Sequence, residues 1–79
     1  MSAGLRLYSR RGCHLCEAME QGLEALRPEL SIVWQKIDVD SDPALTARYG
    51  ERVPVLAHED GREICHYRLD AAALRNALR

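Results

Sequence analysis

A chain of 79 residues is enough for one small domain, read here as spanning 1–79, and a domain of that size buries only roughly 60% of the surface its unfolded chain exposes. Apolar residues make up 47% of the sequence, with no Phe and a single Trp, which excludes a disordered polymer and points to an aliphatic core. The formal net charge of -1 gives no electrostatic case for nucleic acid or an anionic membrane surface, and no apolar run approaches the roughly 20 residues of a membrane-spanning helix.

Leu5-Arg6-Leu7-Tyr8 alternates and predicts a short first strand, which Ser9-Arg10-Arg11-Gly12 breaks. From Cys13 to Arg27, Leu15, Ala18, Met19, Leu23 and Leu26 recur at helical spacing. Pro28 is expected to stop that helix, because proline disfavours helical geometry in the residue before it. Ser31 to Val39 is rich in β-branched and aromatic residues and predicts a second strand. Asp42-Pro43, a cap followed by proline in the first turn, opens a short helix through Tyr49, with Gly50 expected as a left-handed stop. Val53 to Ala57 predicts a third strand with proline near its start. Glu59-Asp60-Gly61-Arg62 supplies an Asp-Gly hairpin turn, and Ile64 to Tyr67 predicts the fourth strand. Asp70 caps a last helix carrying Ala73, Leu74, Ala77 and Leu78. The order β-α-β-α-β-β-α opens on a βαβ crossover, which makes two strands parallel, and closes on a hairpin. An α/β fold is expected, with a four-stranded mixed sheet covered by helices on both faces.

Of the three cysteines, Cys13 and Cys16 form a Cys-x-x-Cys. The segment Met1–Leu5 is read as too short and polar for a secretory signal, so a cytoplasmic location is expected. Structural disulfides are rare there, and a closely spaced pair points to redox chemistry or metal binding. Cys13 falls where the first strand ends and the first helix begins. Unsatisfied N–H groups and the positive end of the helix dipole favour a thiolate at that place, and the thiolate is the nucleophile. Cysteines at i and i+3 on a first turn lie near the roughly 5.5 Å Cα separation of a disulfide. Cys13 is thus the candidate exposed nucleophile and Cys16, one turn in, the resolving thiol. Arg10 and Arg11 just before the pair should favour the Cys13 thiolate further, and Glu17 opposes them.

Two other readings stay open. Tetrahedral zinc would need a second pair of ligands from Cys65 and His66, but adjacent strand residues point to opposite faces; an iron–sulfur cluster shared between two chains belongs to the same class. A copper-chaperone order would end in a strand, whereas this chain ends in a helix. The fold could also serve as a binding module without catalysis. Cys65 reads as a small buried hydrophobe, Trp34 as a cover for the sheet, Met19 as core, and Asp38 and Asp40 as solvated or capping residues.

Cys13-His14-Leu15-Cys16 after the first strand, Val53-Pro54 before the third and the element order over the whole chain resemble glutaredoxin, in the thioredoxin-fold superfamily. The likeness is greatest to small bacterial glutaredoxin-like proteins that carry Cys-His-Leu-Cys. The resemblance implies a thioredoxin/glutaredoxin fold and a thiol–disulfide oxidoreductase that reduces disulfides or glutathionylated cysteines. It implies no bound cofactor and no metal, with glutathione as a co-substrate. The partners it implies are a disulfide-containing or glutathionylated protein and glutathione or a reductase, the protein working as a monomer without nucleic acid or membrane. It implies further that the Val53-Pro54 bond is cis and packed beside the cysteines, and that the Val53 backbone pairs with the bound thiol substrate. Arg10, three positions before the first cysteine, takes the place of a basic residue that meets a glutathione carboxylate, and Arg52 is a second candidate for a carboxylate. The chain departs from the family pattern at His14, where a proline is usual. It departs again after the fourth strand, where His66-Tyr67 or Tyr67-Arg68 stands in place of a Gly-Gly pair. Asp70 matches the place of an acidic residue that meets the glutathione amine, although a capping role already accounts for it.

Overall fold

Residues 3–79 are described by the computed structural model; Met1 and Ser2, the start of the N-terminal segment considered above, lie outside the described residues. The elements are β1 (Ala3–Ser9), α1 (His14–Leu30), β2 (Ile32–Asp38), a 3-10 turn (Val39–Ser41), α2 (Pro43–Tyr49), β3 (Val55–His58), β4 (Glu63–His66) and α3 (Ala71–Ala77). The sheet order is β2-β1-β3-β4. β1 runs parallel to β2 and antiparallel to β3, and β3 pairs antiparallel with β4.

The alternation of β1 sets the two layers, because successive strand residues point to opposite faces. Leu5 and Leu7 join Met19 and Leu23 of α1, Ile32, Leu56 and Leu74 of α3 in one buried cluster. Tyr8 faces the other way and packs with Val39, Val55, Ala57 and Tyr49 of α2. Helices therefore cover both faces, α1 and α3 on one and α2 on the other. The Tyr8 and Tyr49 rings stack with centroids 4.1 Å apart. Burial, with Tyr8 beside it, pushes the Tyr49 phenol above its ordinary value.

The caps stand where local chemistry puts them. Asp42 accepts a hydrogen bond from the Ala44 N–H at 2.9 Å, and Asp70 from the Ala73 N–H at 3.0 Å. Gly61, at φ 95°, supplies the left-handed turn residue between β3 and β4.

β3 begins at Val55 and not at Val53 as the sequence predicts, since Pro54 has no N–H to give the ladder, and three other boundaries also differ from the sequence expectation. Pro28 does not stop α1, which continues to Leu30 with Ser31 as its left-handed cap at φ 51°. A proline this late removes one N–H from the ladder, while the Ser31 N–H still reaches the Arg27 carbonyl at 2.9 Å. Leu26 and Leu30 also pack against the main cluster, which holds the last turn in place. Tyr67 is not the end of β4. It has a left-handed φ of 63° and turns the chain toward α3, while its N–H bonds the Pro54 carbonyl at 2.9 Å.

Gly50 is the third case. It ends α2 in right-handed geometry, φ -53° and ψ -37°, and not as a left-handed stop. Glycine is needed there for space: a Cβ would lie 2.6 Å from the Thr46 carbonyl oxygen and 3.0 Å from Nη2 of Arg10. Gly50→Ala is therefore expected to cost about 1–3 kcal/mol, as overpacking generally does. Thermal unfolding checks this, and an unchanged midpoint would show that the site has room.

Candidate active site

The strand registers bring several chain segments to one end of the sheet. Ser9 pairs with Asp38 at the ends of β1 and β2, Tyr8 with Val55 at the start of β3, and Val55 with His66 at the end of β4. The connection from β1 to α1, the 3-10 turn, Val53-Pro54 and Tyr67 consequently all emerge there.

Cys13 is the N-cap of α1, in extended geometry with φ -96° and ψ 105°. Gly12 before it takes φ 68°, which lets the chain turn from strand into helix. The Cys13 Sγ accepts the Cys16 N–H at 3.1 Å, and the Cys13 carbonyl accepts the Glu17 N–H at 3.1 Å. Cys13 thus does for α1 what Asp42 and Asp70 do for the later helices, with sulfur as the acceptor. An N–H aimed at sulfur at a helix N-terminus stabilises negative charge on that sulfur.

Cys13 and Cys16 are joined in a disulfide, with Cα atoms 5.2 Å apart. The two sulfurs have unequal surroundings. Cys16 is 4% exposed and belongs to the buried side of α1, whereas Cys13 is half-buried, between the exposed Gly12 and His14. The His14 side chain is 99% exposed, and its Nδ1 lies 3.9 Å from the Glu17 carboxylate. Leu15, between the cysteines, is also exposed.

The Val53-Pro54 bond is cis. Val53 is half-buried and Pro54 fully buried. Tyr67, beyond the Pro54 carbonyl, extends its ring so that the hydroxyl donates to the Glu51 carbonyl at 3.1 Å.

Both candidate carboxylate-binding arginines stand at or near this end, each paired within the protein. Arg10 Nε meets Asp40 Oδ2 at 2.9 Å, Nη2 meets Oδ1 at 3.0 Å, and Nη1 donates to the Gly50 carbonyl at 3.1 Å. The Arg10 guanidinium holds the Asp40 carboxyl below the usual carboxylate range. Arg52 pairs with Glu63, which also holds Nδ1 of His66 at 2.7 Å. Burial opposes ionisation of Glu63, but the hydrogen bonds from Arg52 and His66 outweigh it and leave that carboxyl below its ordinary value.

Other sequence candidates are accounted for locally. Asp38 accepts from the Asp40 N–H at 2.9 Å as the cap of the 3-10 turn. Trp34 packs on the main cluster, donates to Glu20 at 3.3 Å and carries the Arg27 guanidinium 4.7 Å above its ring. Cys65 is free and half-buried opposite Leu56, and burial pushes its thiol above the ordinary value. Sequence reasoning missed Asp40 and Gly50 as partners of Arg10, and Glu51 as the acceptor for Tyr67. These contacts join residues far apart in the chain, and no local pattern marks them. No helix among the described residues is long and apolar enough to cross a membrane.

Comparison with known proteins adds four findings. The family model described as a glutaredoxin-like domain (DUF836) matches residues 4–79. An uncharacterized protein of Mycobacterium tuberculosis is 36% identical across 90% of this chain and 77% of its own length. Among solved structures, protein Ne2328 of Nitrosomonas europaea superposes with a TM-score of 0.87 at 38% identity, covering 98% of this chain and 92% of that one. The holo form of glutaredoxin C1 from Populus tremula x tremuloides superposes with a TM-score of 0.62 over 98% of this chain and 73% of its own, at 20% identity, which speaks to the fold alone.

Proposed function

The chain belongs to the glutaredoxin-like domain family (DUF836) and has a thioredoxin-like fold, and from that premise we propose that it is a dithiol thiol–disulfide oxidoreductase. The observation that carries this reading is the Cys13–Cys16 pair itself. It stands at the start of α1 within disulfide reach, with one sulfur accepting a helix N–H and the other buried.

In the reduced protein the Cys13 thiolate attacks one sulfur of a substrate disulfide. A bond forms between Cys13 Sγ and that sulfur, the substrate S–S bond breaks, and the other substrate sulfur leaves as a thiolate that takes up a proton. Cys16 then loses its proton and attacks Cys13 Sγ. The mixed disulfide breaks, the second substrate thiol is released, and the Cys13–Cys16 disulfide remains. Two electrons have passed from the dithiol to the substrate, and two electrons from glutathione thiols or from a reductase restore the dithiol. The unequal burial of the sulfurs supports this order, since attack requires access and resolution requires only that Cys16 reach Cys13.

The substrates in this reading are disulfide-bearing or glutathionylated proteins, presented along Val53 and Pro54 at the same end of the sheet. No resident cofactor or metal takes part, and a reducing compartment such as the cytoplasm would keep the pair in its dithiol form. The test is titration of the pair in glutathione redox buffers, with mass spectrometry counting disulfides. A reversible intramolecular disulfide with a potential of about -180 to -270 mV is expected. If no reversible disulfide forms between Cys13 and Cys16, dithiol catalysis is excluded.

A further inference from the structure

Arg10 places three of its five N–H donors, one from each guanidinium nitrogen, on partners inside the protein. Its bidentate contact fixes it to Asp40 in the 3-10 turn after β2, and its third bond fixes it to the Gly50 carbonyl, just before the Glu51–Pro54 segment. One planar guanidinium therefore ties together the connection that carries Cys13, the 3-10 turn and the loop that leads to Val53-Pro54. An isolated surface ion pair contributes little, but a bidentate pair reinforced by a backbone carbonyl has a fixed geometry. Two further details build the same junction. Gly50 is buried and leaves the space in which Arg10 Nη2 lies. Thr46 Oγ1 donates to the Val39 carbonyl at 2.7 Å and so fastens α2 to the 3-10 turn.

We infer that Arg10 is a positioning residue, which acts through Asp40 and the Gly50 carbonyl to fix Cys13 relative to Val53-Pro54, and is not the receptor for a substrate carboxylate. The inference rests on the oxidoreductase reading and gives Arg10 a role within it. Only Arg11 and Gly12 separate Arg10 from Cys13, so the anchored guanidinium limits how far the N-cap can drift from α1. Cys13 has to stay in its extended N-cap geometry for Sγ to remain within bonding range of Cys16. Releasing the anchor lowers the effective concentration of one thiol at the other and shifts the pair toward the dithiol. A carboxylate on a substrate would, by contrast, meet only the two guanidinium N–H groups left over by Asp40 and Gly50, and would meet them beside the negative charge of Asp40.

The reduction potential separates this role from simple support of the fold. A loss of stability shared by the oxidised and reduced protein cancels in the potential, whereas a change in the placement of Cys13 does not. Wild type, Arg10→Ala, Arg10→Lys, Asp40→Asn and the double variant Arg10→Ala/Asp40→Asn would be equilibrated in glutathione buffers. Each would then be assayed with glutathione disulfide and with bis(2-hydroxyethyl) disulfide, which carries no carboxylate. Each single variant is expected to lower the equilibrium constant for disulfide formation by roughly threefold or more, equivalent to about 14 mV. Lysine should not rescue, because it cannot make the planar two-point contact. The double variant should add little to either single one, because one junction is broken in each case. Both substrates should be affected alike. The inference is overturned if the potentials stay at the wild-type value, or if Arg10→Ala raises KM for glutathione disulfide alone while Asp40→Asn leaves it unchanged or lowers it. Absence of a reversible disulfide in the wild type would instead sink the oxidoreductase reading and this inference with it. Asp40→Asn, nearly isosteric, keeps the test open should the Arg10 variants fold poorly.

Discussion

In Cys13→Ser, disulfide reduction is expected to fall to the uncatalysed background, a loss of at least roughly 100-fold, as befits removal of a covalent nucleophile. The serine oxygen can still cap α1 in place of sulfur, so the helix start survives and the loss is chemical. Cys16→Ser should behave differently. Cys13 keeps its N–H donor and its access, so the first attack proceeds and a mixed disulfide accumulates with no resolving thiol to break it. Turnover then continues only where an external thiol such as glutathione resolves the intermediate. Activity with bis(2-hydroxyethyl) disulfide in glutathione buffer measures the first effect, and the mass of the trapped Cys16→Ser adduct measures the second. Full activity in Cys13→Ser, or a trapped adduct on Cys65, would place the chemistry elsewhere.

Leu7→Ala is expected to be the most damaging single change to the fold. Leu7 is 0% exposed at the middle of β1, opposite the equally buried Leu56 of β3. It belongs to the cluster that holds α1 and α3 on the sheet. Truncating a buried leucine costs about 2–5 kcal/mol. A chain of 79 residues has roughly 4–12 kcal/mol in all, at about 0.05–0.15 kcal/mol per residue. With about 4–8 °C lost per kcal/mol in a domain of this size, the melting midpoint should drop by at least roughly 8 °C. Val33→Ala on exposed sheet surface is the natural control, expected within about 0.5 kcal/mol of the parent. Differential scanning calorimetry of both variants checks the contrast, and equal midpoints would show that β1 does not carry the core.

Where a signal is local, it was legible. The alternation of Leu5 to Tyr8, the helical spacing from Leu15 to Leu26, and the caps Asp42 and Asp70 each act within one or two turns of chain, and the structure has them in place. The candidate pair was legible for the same reason, since i and i+3 at a helix start determine the approach of two sulfurs whatever surrounds them. Pro28 was misread because a propensity was weighed without the tertiary packing of Leu26 and Leu30. Gly50 was misread because its glycine is required by a neighbour from another segment and not by its own φ. Arg10 with Asp40 and Arg52 with Glu63 are pairings between distant segments, and a solvated arginine looks the same in sequence as a committed one.

The central place of β1 has a consequence for how the chain is made. β1 lies between β2 and β3, so it needs a hydrogen-bonding partner along each edge. Its β2 partner follows directly after α1, but its β3 partner begins only at Val55. In a nascent polypeptide emerging from its N-terminal side, the β1–α1–β2 portion can dock early while the other edge of β1 stays open. An open strand edge is a template for pairing with another chain, and long-range antiparallel pairing is slow to form. The interval between release of β2 and arrival of β3 is therefore the period of greatest exposure to misassembly, and the stretch in which a chaperone or rapid translation has most to protect.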